Sequence, residues 1–286
     1  MKNGEIQEVE IKEKIEDTVV GSVNGETVYV HSKNLSLLEV GKTYFSFVYL
    51  NRHSQWCASL DIPNCSLKSF GLGTVNTVDP KSGVFLSIGL TDKDILVSSD
   101  DLPDKSSDWP QVDDQLIIKL VRDNKERLWG QMATDEDLLN GGFINFDHKF
   151  KRNDTVTGLI YHLGKNGAFL LLHEDRFAFL HSSEVEVPIH LGQTITGRVI
   201  GFGAHDRINI SLLKNAYARI DDDAAMILAA INFTPQKSLS INDNSTPEEI
   251  KNQFGISKSS FKRAVGHLLK QNLIVKENGY LKIKSK

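Results

Sequence analysis

A chain of 286 residues with 40% hydrophobic and 24% charged residues has the make-up of an ordinary globular protein, long enough for two domains or for more if each is small. Its net charge of −4 argues against a protein that coats duplex DNA by bulk electrostatics, and no apolar run approaches the roughly 20 residues needed to span a bilayer. Cys57 and Cys65 are too few for a disulfide framework and lack a metal-ligand spacing, and the first residues show no signal-peptide core, so a cytoplasmic protein is the simplest expectation.

In chain order, an opening strand near residues 7–12 leads to a hairpin, 18–23 and 27–32, around the turn Asn24-Gly25. A long strand at 40–48 and a closing strand at 55–60 complete the first unit, and the segment 60–67 with Pro63 is the first boundary. The same series recurs at 71–78, 83–88, 95–99, 112–120 and 127–132, followed by a short helical turn at 134–139 and a boundary at Asn140-Gly141-Gly142. It recurs again at 155–162, 167–172, 177–184, 191–200 and 207–212. An internal repeat decides the architecture before any single residue is interpreted. Five short strands in a unit of about 65–75 residues cannot cover both faces of a flat sheet, so each should curl into a partly open Greek-key barrel of the OB type.

The pattern changes near 218–223, where alternation gives way to a helix at 224–231. A polar connector at 234–244 follows, with room for a short extended segment. Thr246 then precedes Pro247 as a cap, helix residues run to Phe254, and Gly255 stops them. Ser257 caps a further helix at 258–271 with Phe261, Val265, Leu268 and Leu269 on one face, and 274–283 is a hairpin around Asn278-Gly279. Those signals in that order predict a winged helix. The expected fold class is mainly β with a C-terminal α+β module: three tandem OB-type five-stranded barrels (1–64, 65–145, 146–217) and a winged-helix domain (218–286).

In the third unit, Gly167-Ala168-Phe169, then Phe179-Leu180-His181-Ser182-Ser183-Glu184, then Arg207-Ile208-Asn209-Ile210-Ser211-Leu212 resemble an S1-type RNA-binding domain. Three S1-like units followed by a winged helix resemble the bacterial conserved virulence factor B family over nearly the whole chain. The resemblance implies single-stranded RNA as the partner and a part in the control of gene expression and, in pathogens, virulence. It assigns the RNA face to Phe169, His181 and Arg207, since aromatic rings stack on bases and cations track phosphates. Two family positions differ: Asn166 stands where an aromatic precedes Gly-Ala-Phe, and Gly203 stands where an acidic residue lies four before the Arg.

Alternation puts Phe177, Phe179 and His181 on one face of their strand, and Ala178 and Leu180 on the other; core and surface both remain open for the two phenylalanines. Lys165, Arg176 and Arg198 are cationic neighbours. The first unit keeps Tyr29 and His31. The second keeps Phe85 and the Asp123…Arg127 pair, with Val97 in place of the His, and 8 basic against 14 acidic residues from Ser66 to Asn140 make it chiefly a spacer. From Gly255 onward there are 8 basic residues and 1 acidic. Lys258, Lys262, Arg263 and Lys270 fall on the last helix, and Lys276, Lys282 and Lys284 on the wing. That helix offers no Arg/Asn base-reading set, which favours auxiliary RNA contact over DNA recognition, with protein docking as the bland alternative.

No phosphate-binding loop, nucleophile elbow or metal-ligand spacing occurs. Six of the nine histidines lie between His148 and His205, but scattered over turns and strands, and Asp221-Asp222-Asp223 is explained by a helix start. The expectation is a binding protein without catalytic residues, metal or cofactor. The alternatives are a transcription regulator binding DNA through the winged helix and a metal-dependent RNase. No motif specifies an oligomeric state.

Overall fold

The repeat takes shape as three closed five-stranded barrels in the computed structural model, which describes residues 1–16, 18–140, 149–203, 207–213 and 216–284. The first contains β1 (Glu5–Ile15), β2 (Thr18–Val23), β3 (Glu26–His31), β4 (Thr43–Leu50) and β5 (Trp56–Ser59), closed in the order β1-β2-β3-β5-β4. The second contains β6 (Gly71–Asp79), β7 (Gly83–Ser87), β8 (Ile95–Ser98), β9 (Gln115–Arg122) and β10 (Leu128–Met132), and is followed by a short helix, α1 (Asp135–Asn140). The third contains β11 (Thr155–Gly164), β12 (Gly167–Leu172), β13 (Phe177–His181), β14 (Thr194–Phe202) and β15 (Ile208–Ser211). The boundary expected at Asn140-Gly141-Gly142 runs from the end of α1 into residues outside those described.

Closure depends on the opening strand of each barrel. It pairs with the fourth strand through its first half and with the second strand through its last half. One extra residue, Lys12, Asn76 or Tyr161, bulges between the two halves and lets the strand bend. Inside, period-two alternation buries Ala168, Leu170, Ala178 and Leu180 of the third barrel.

The three barrels form one compact unit, Met1–Leu212. Phe47, Tyr49 and Cys57 of the first barrel pack into the core of the second. Arg122 donates to Glu5 (2.9 Å), and the Tyr49 hydroxyl donates to the carbonyl of Thr91 (2.9 Å). Between the second and third barrels, Ile117 and Leu138 meet Leu159, Tyr161 and Phe177. The thiols of Cys57 and Cys65 are both raised to about 11, first by burial, and are protonated at neutral pH.

Leu213–Lys286 form the second compact unit. It contains α2 (Ala216–Phe233), β16 (Ser238–Leu239), α3 (Pro247–Phe254), α4 (Lys258–Lys270), β17 (Ile274–Glu277) and β18 (Tyr280–Ile283), the winged-helix order. Ile227, Ile231, Ile250, Phe261, Val265 and Leu281 form its core. Helix α2 starts ahead of the expected 224, so Asp221-Asp222-Asp223 lies inside the helix and does not mark its start. Thr246 and Glu249 make a reciprocal capping box on α3: the Thr hydroxyl accepts from the Glu amide (3.2 Å) and the carboxylate accepts from the Thr amide (2.8 Å). Thr246→Ala should cost about 1 kcal/mol and speed amide exchange in α3 about fivefold, read by hydrogen-exchange mass spectrometry. Among the described residues no helix is long and apolar enough to cross a membrane.

Candidate nucleic-acid interface

The bulge in β11 and the β12–β13 hairpin line up four rings on the outer face of the third barrel. His162 pairs with Phe169 across one ladder, and Phe169 pairs with Phe179 across the next. Ring centroids are 5.4 Å apart for His162–Phe169, 5.1 Å for Phe169–Phe179 and 6.1 Å for Phe179–His181. His162 and His181 are exposed and the two phenylalanines half-buried, so the strip is seated on the barrel with its faces reachable. The side chain of His181 accepts from the Ser183 amide (3.2 Å), which fixes that ring at the strip's end.

Arg207 stands beside the strip. Parallel pairing of β15 with β13 brings it there, its guanidinium 4.8 Å from the centroid of Phe169 and 5.9 Å from that of Phe177. Gly203 offers this arginine no carboxylate, and Asp135 at the start of α1 supplies one, 3.0 Å away. Asp135 is itself held by the hydroxyl of Tyr161, the bulged residue (2.7 Å). Burial, then Asp135, pushes the Tyr161 hydroxyl above its ordinary range, so it remains a donor. In the second barrel Asp123 plays that part locally. It pairs with Arg127 (2.6 Å), and the Arg127 amide and guanidinium together with the Lys125 amide hold its carboxyl down to about 2.

The other sequence-derived candidates separate. Phe177 is only 7% exposed; it is sealed between the second and third barrels and has no face to offer a base, a correction that tertiary packing forces on strand alternation. Phe179 on the same strand face stays half-exposed. Lys165 is exposed in the β11–β12 turn, whereas Arg176 is buried and Arg198 donates to Asn153 (3.2 Å). In the second barrel Ser98, not Val97, takes the place of His181. Ser98 pairs with Gly83 as His181 pairs with Gly167, and each side chain accepts from the amide two residues on. Val97 points into the core, the consequence of a one-residue shift in a period-two strand.

By the same registers Phe85 and Arg127 occupy the Phe169 and Arg207 positions, with Leu96 in place of Phe179. In the first barrel Tyr29 (41% exposed) and His31 match Phe179 and His181, while Val20 and Gln55 replace Phe169 and Arg207. Burial lowers the His31 pKa, with Asp92 opposing, so this face lacks a firm cation.

On α4, Lys262, Arg263 and Lys270 are exposed and Lys258 is half-buried; none makes an ion pair among the described residues. On the wing, Lys276 pairs with Asp243 and Lys282 with Glu277 (2.8 Å), while Lys284 donates to the neutral side chain of Asn272 (3.1 Å). Among the described residues no group of three or more His, Cys, Asp or Glu side chains could hold a metal ion; His148 and His205 lie outside them. Sequence reasoning missed His162 and Asp135: the first because a bulge resets the alternation of β11, the second because 72 residues separate it from Arg207.

Three family models match the chain: the CvfB first S1-like domain at 70–131, the Virulence regulatory factor CvfB second domain at 143–214, and the CvfB-like winged helix domain at 225–283. Conserved virulence factor B from Staphylococcus aureus strains bovine RF122 and USA300 is 32% identical over 266 residues, covering 92% of this chain and 87% of those proteins. A crystal structure from Streptococcus pneumoniae TIGR4, described as a multidomain protein with nucleic acid binding domains, is 31% identical and covers 98% of both chains with a TM-score of 0.70.

Proposed function

The chain belongs to the conserved virulence factor B family, and from that premise we propose that it is a single-stranded RNA-binding protein acting in post-transcriptional regulation. The observation that carries this is the four-ring strip of His162, Phe169, Phe179 and His181 with Arg207 beside it. Successive unpaired bases have exposed faces that stack on such rings, whereas a duplex hides them. Arg207 supplies the charge that holds the backbone alongside. The exposed cations of α4 add a weak second contact on the same chain, and linkage converts two weak contacts into a tighter one. The relatives' name supports a part in virulence, and the nucleic-acid-binding description of the pneumococcal structure supports the class of partner.

Fluorescence anisotropy with single-stranded RNA, single-stranded DNA and duplex DNA across a salt series tests the proposal. Tightest binding to RNA, weakening with salt by a slope of about 0.7 per phosphate contacted, is expected. A duplex preference would support the transcription-regulator alternative, and metal-dependent shortening of the RNA would support the nuclease.

Asp135 is a second test. It holds Arg207 in place, yet its negative charge faces the phosphate that Arg207 should meet. Asp135→Asn is isosteric and removes the charge: its oxygen can still accept from Arg207, while its amide nitrogen must donate to the Tyr161 hydroxyl that donates to the carboxylate in the wild type. Binding of RNA should tighten about two- to fivefold at low salt, since a half-exposed charge contributes about 0.5–1 kcal/mol. Unchanged affinity at every salt concentration would place the phosphate elsewhere.

A further inference from the structure

The outer face of the first barrel is covered along part of β4 and bare along the rest. Phe45, Phe47 and Tyr49 point outward on that strand, alternating with buried Ser46 and Val48. The second barrel takes Phe47 and Tyr49 into its core and stops short of Phe45, which is 67% exposed. Across the ladder, Ile6 of β1 stands opposite Phe47 and Glu8 opposite Phe45, so all four share one face. A cleft of about 420 Å³ opens over Phe47, walled by Ile6 and by Ile62, Leu67 and Lys68 of the connector between the barrels. Ile6 is 51% and Ile62 46% exposed. Single exposed apolar side chains are ordinary, but three large ones grouped at an apolar cleft mark an interaction surface.

The charges on this face divide into engaged and free. Glu5 accepts from Arg122 (2.9 Å) and lies 3.8 Å from Lys2. Glu8, beside the protruding Phe45, and Lys68, in the cleft wall, are exposed and make no ion pair among the described residues. The face therefore carries a knob with a free carboxylate next to it, and a hole with a free ammonium next to it. A surface holding both halves of a contact is complementary to itself. A two-fold axis between knob and hole seats each copy's Phe45 in the other's cleft and sets each Glu8 against the other's Lys68. A short foreign segment filling the cleft would leave Phe45 bare, whereas a second copy covers knob and hole together.

We propose that this face is a self-association surface, and that its occupant is a second copy of the chain related by a two-fold axis. Tyr29 and His31 of the same barrel lie on β3, which adjoins neither β1 nor β4, so the pairing does not use them. Two copies joined this way carry two ring strips, and a long RNA meets both at a raised effective concentration. That consequence rests on the RNA-binding reading above; the self-association does not.

Sedimentation velocity of the full-length protein across a micromolar concentration series, without RNA, tests the proposal. The wild type should pass from monomer to dimer as concentration rises. Phe45→Ala should weaken the dimer about tenfold or more, because the loss of an aromatic anchor counts twice across the axis. Glu8→Lys and Lys68→Glu should each weaken it about tenfold at low salt, and less at high salt. Glu8→Lys combined with Lys68→Glu should restore the association, a rescue that damage to the fold by either change does not predict. Circular dichroism checks folding, which substitution of these exposed side chains should spare. A wild type that stays monomeric throughout overturns the proposal and leaves the face to a different protein. A dimer that none of these variants shifts places the contact elsewhere and overturns it too. Phe169→Ala should leave the association unchanged, so this proposal and the RNA reading fail separately.

Discussion

Phe169→Ala should lower the affinity for single-stranded RNA by about 1–3 kcal/mol, roughly five- to hundredfold, the stacking energy of one base on an aromatic side chain. Phe169 is the middle contact of the interface. It touches His162 on one side and Phe179 on the other, and it is the platform beneath the Arg207 guanidinium. Removing it takes away one stacking face, separates the strip into two parts and leaves Arg207 held by Asp135 without the ring beneath it. The defect should therefore exceed that of His181→Ala, which removes only the ring at the end. Phe169 is half-buried on the outer face, so the variant should stay folded; circular dichroism and the hydrogen exchange of β12 check that. Equal defects for the two variants would mean that the strip does not act as a unit.

Gly167→Ala should destabilise the third barrel by about 2–4 kcal/mol. Gly167 has φ +152, and a Cβ on it would lie 2.1 Å from the Leu180 carbonyl oxygen. That neighbour is backbone, fixed in the β12–β13 ladder, so relief requires opening the hairpin that carries Phe169, Phe179 and His181. Gly83 has the same relation to the Val97 carbonyl in the second barrel, also at 2.1 Å, which gives the Gly of the repeated motif its physical meaning. Gly201→Ala is the control, because nothing lies within 4 Å of its Cβ position. Hydrogen exchange in third-barrel peptides should rise steeply for Gly167→Ala and stay near wild type for Gly201→Ala. Equal protection in both would show that the close approach is relieved at no cost.

The barrels were legible in the sequence because their signals are local. Asn24-Gly25 and the alternation around Gly167-Ala168-Phe169 specify hairpins, and Thr246, Gly255 and Asn278-Gly279 punctuate the winged module. The site was legible only where strand alternation reached it. A bulge at Tyr161 changes which side chains of β11 face outward and hides His162 from period-two counting. Phe177 looked equivalent to Phe179 until the second barrel covered it. Asp135, Arg52 and Asp243 act on residues far away in the chain, so their pairs with Arg207, Asp92 and Lys276 left no trace in local spacing.

The central claim is that RNA bases lie on the ring strip of the third barrel. Ultraviolet cross-linking of the full-length protein to a 4-thiouridine-containing single-stranded RNA, with the adducts located by mass spectrometry, addresses it most directly. The account predicts adducts on peptides carrying His162, Phe169, Phe179 or His181, and their loss in Phe169→Ala. Adducts confined to the peptides of α4 and the wing, unchanged in Phe169→Ala, would contradict it.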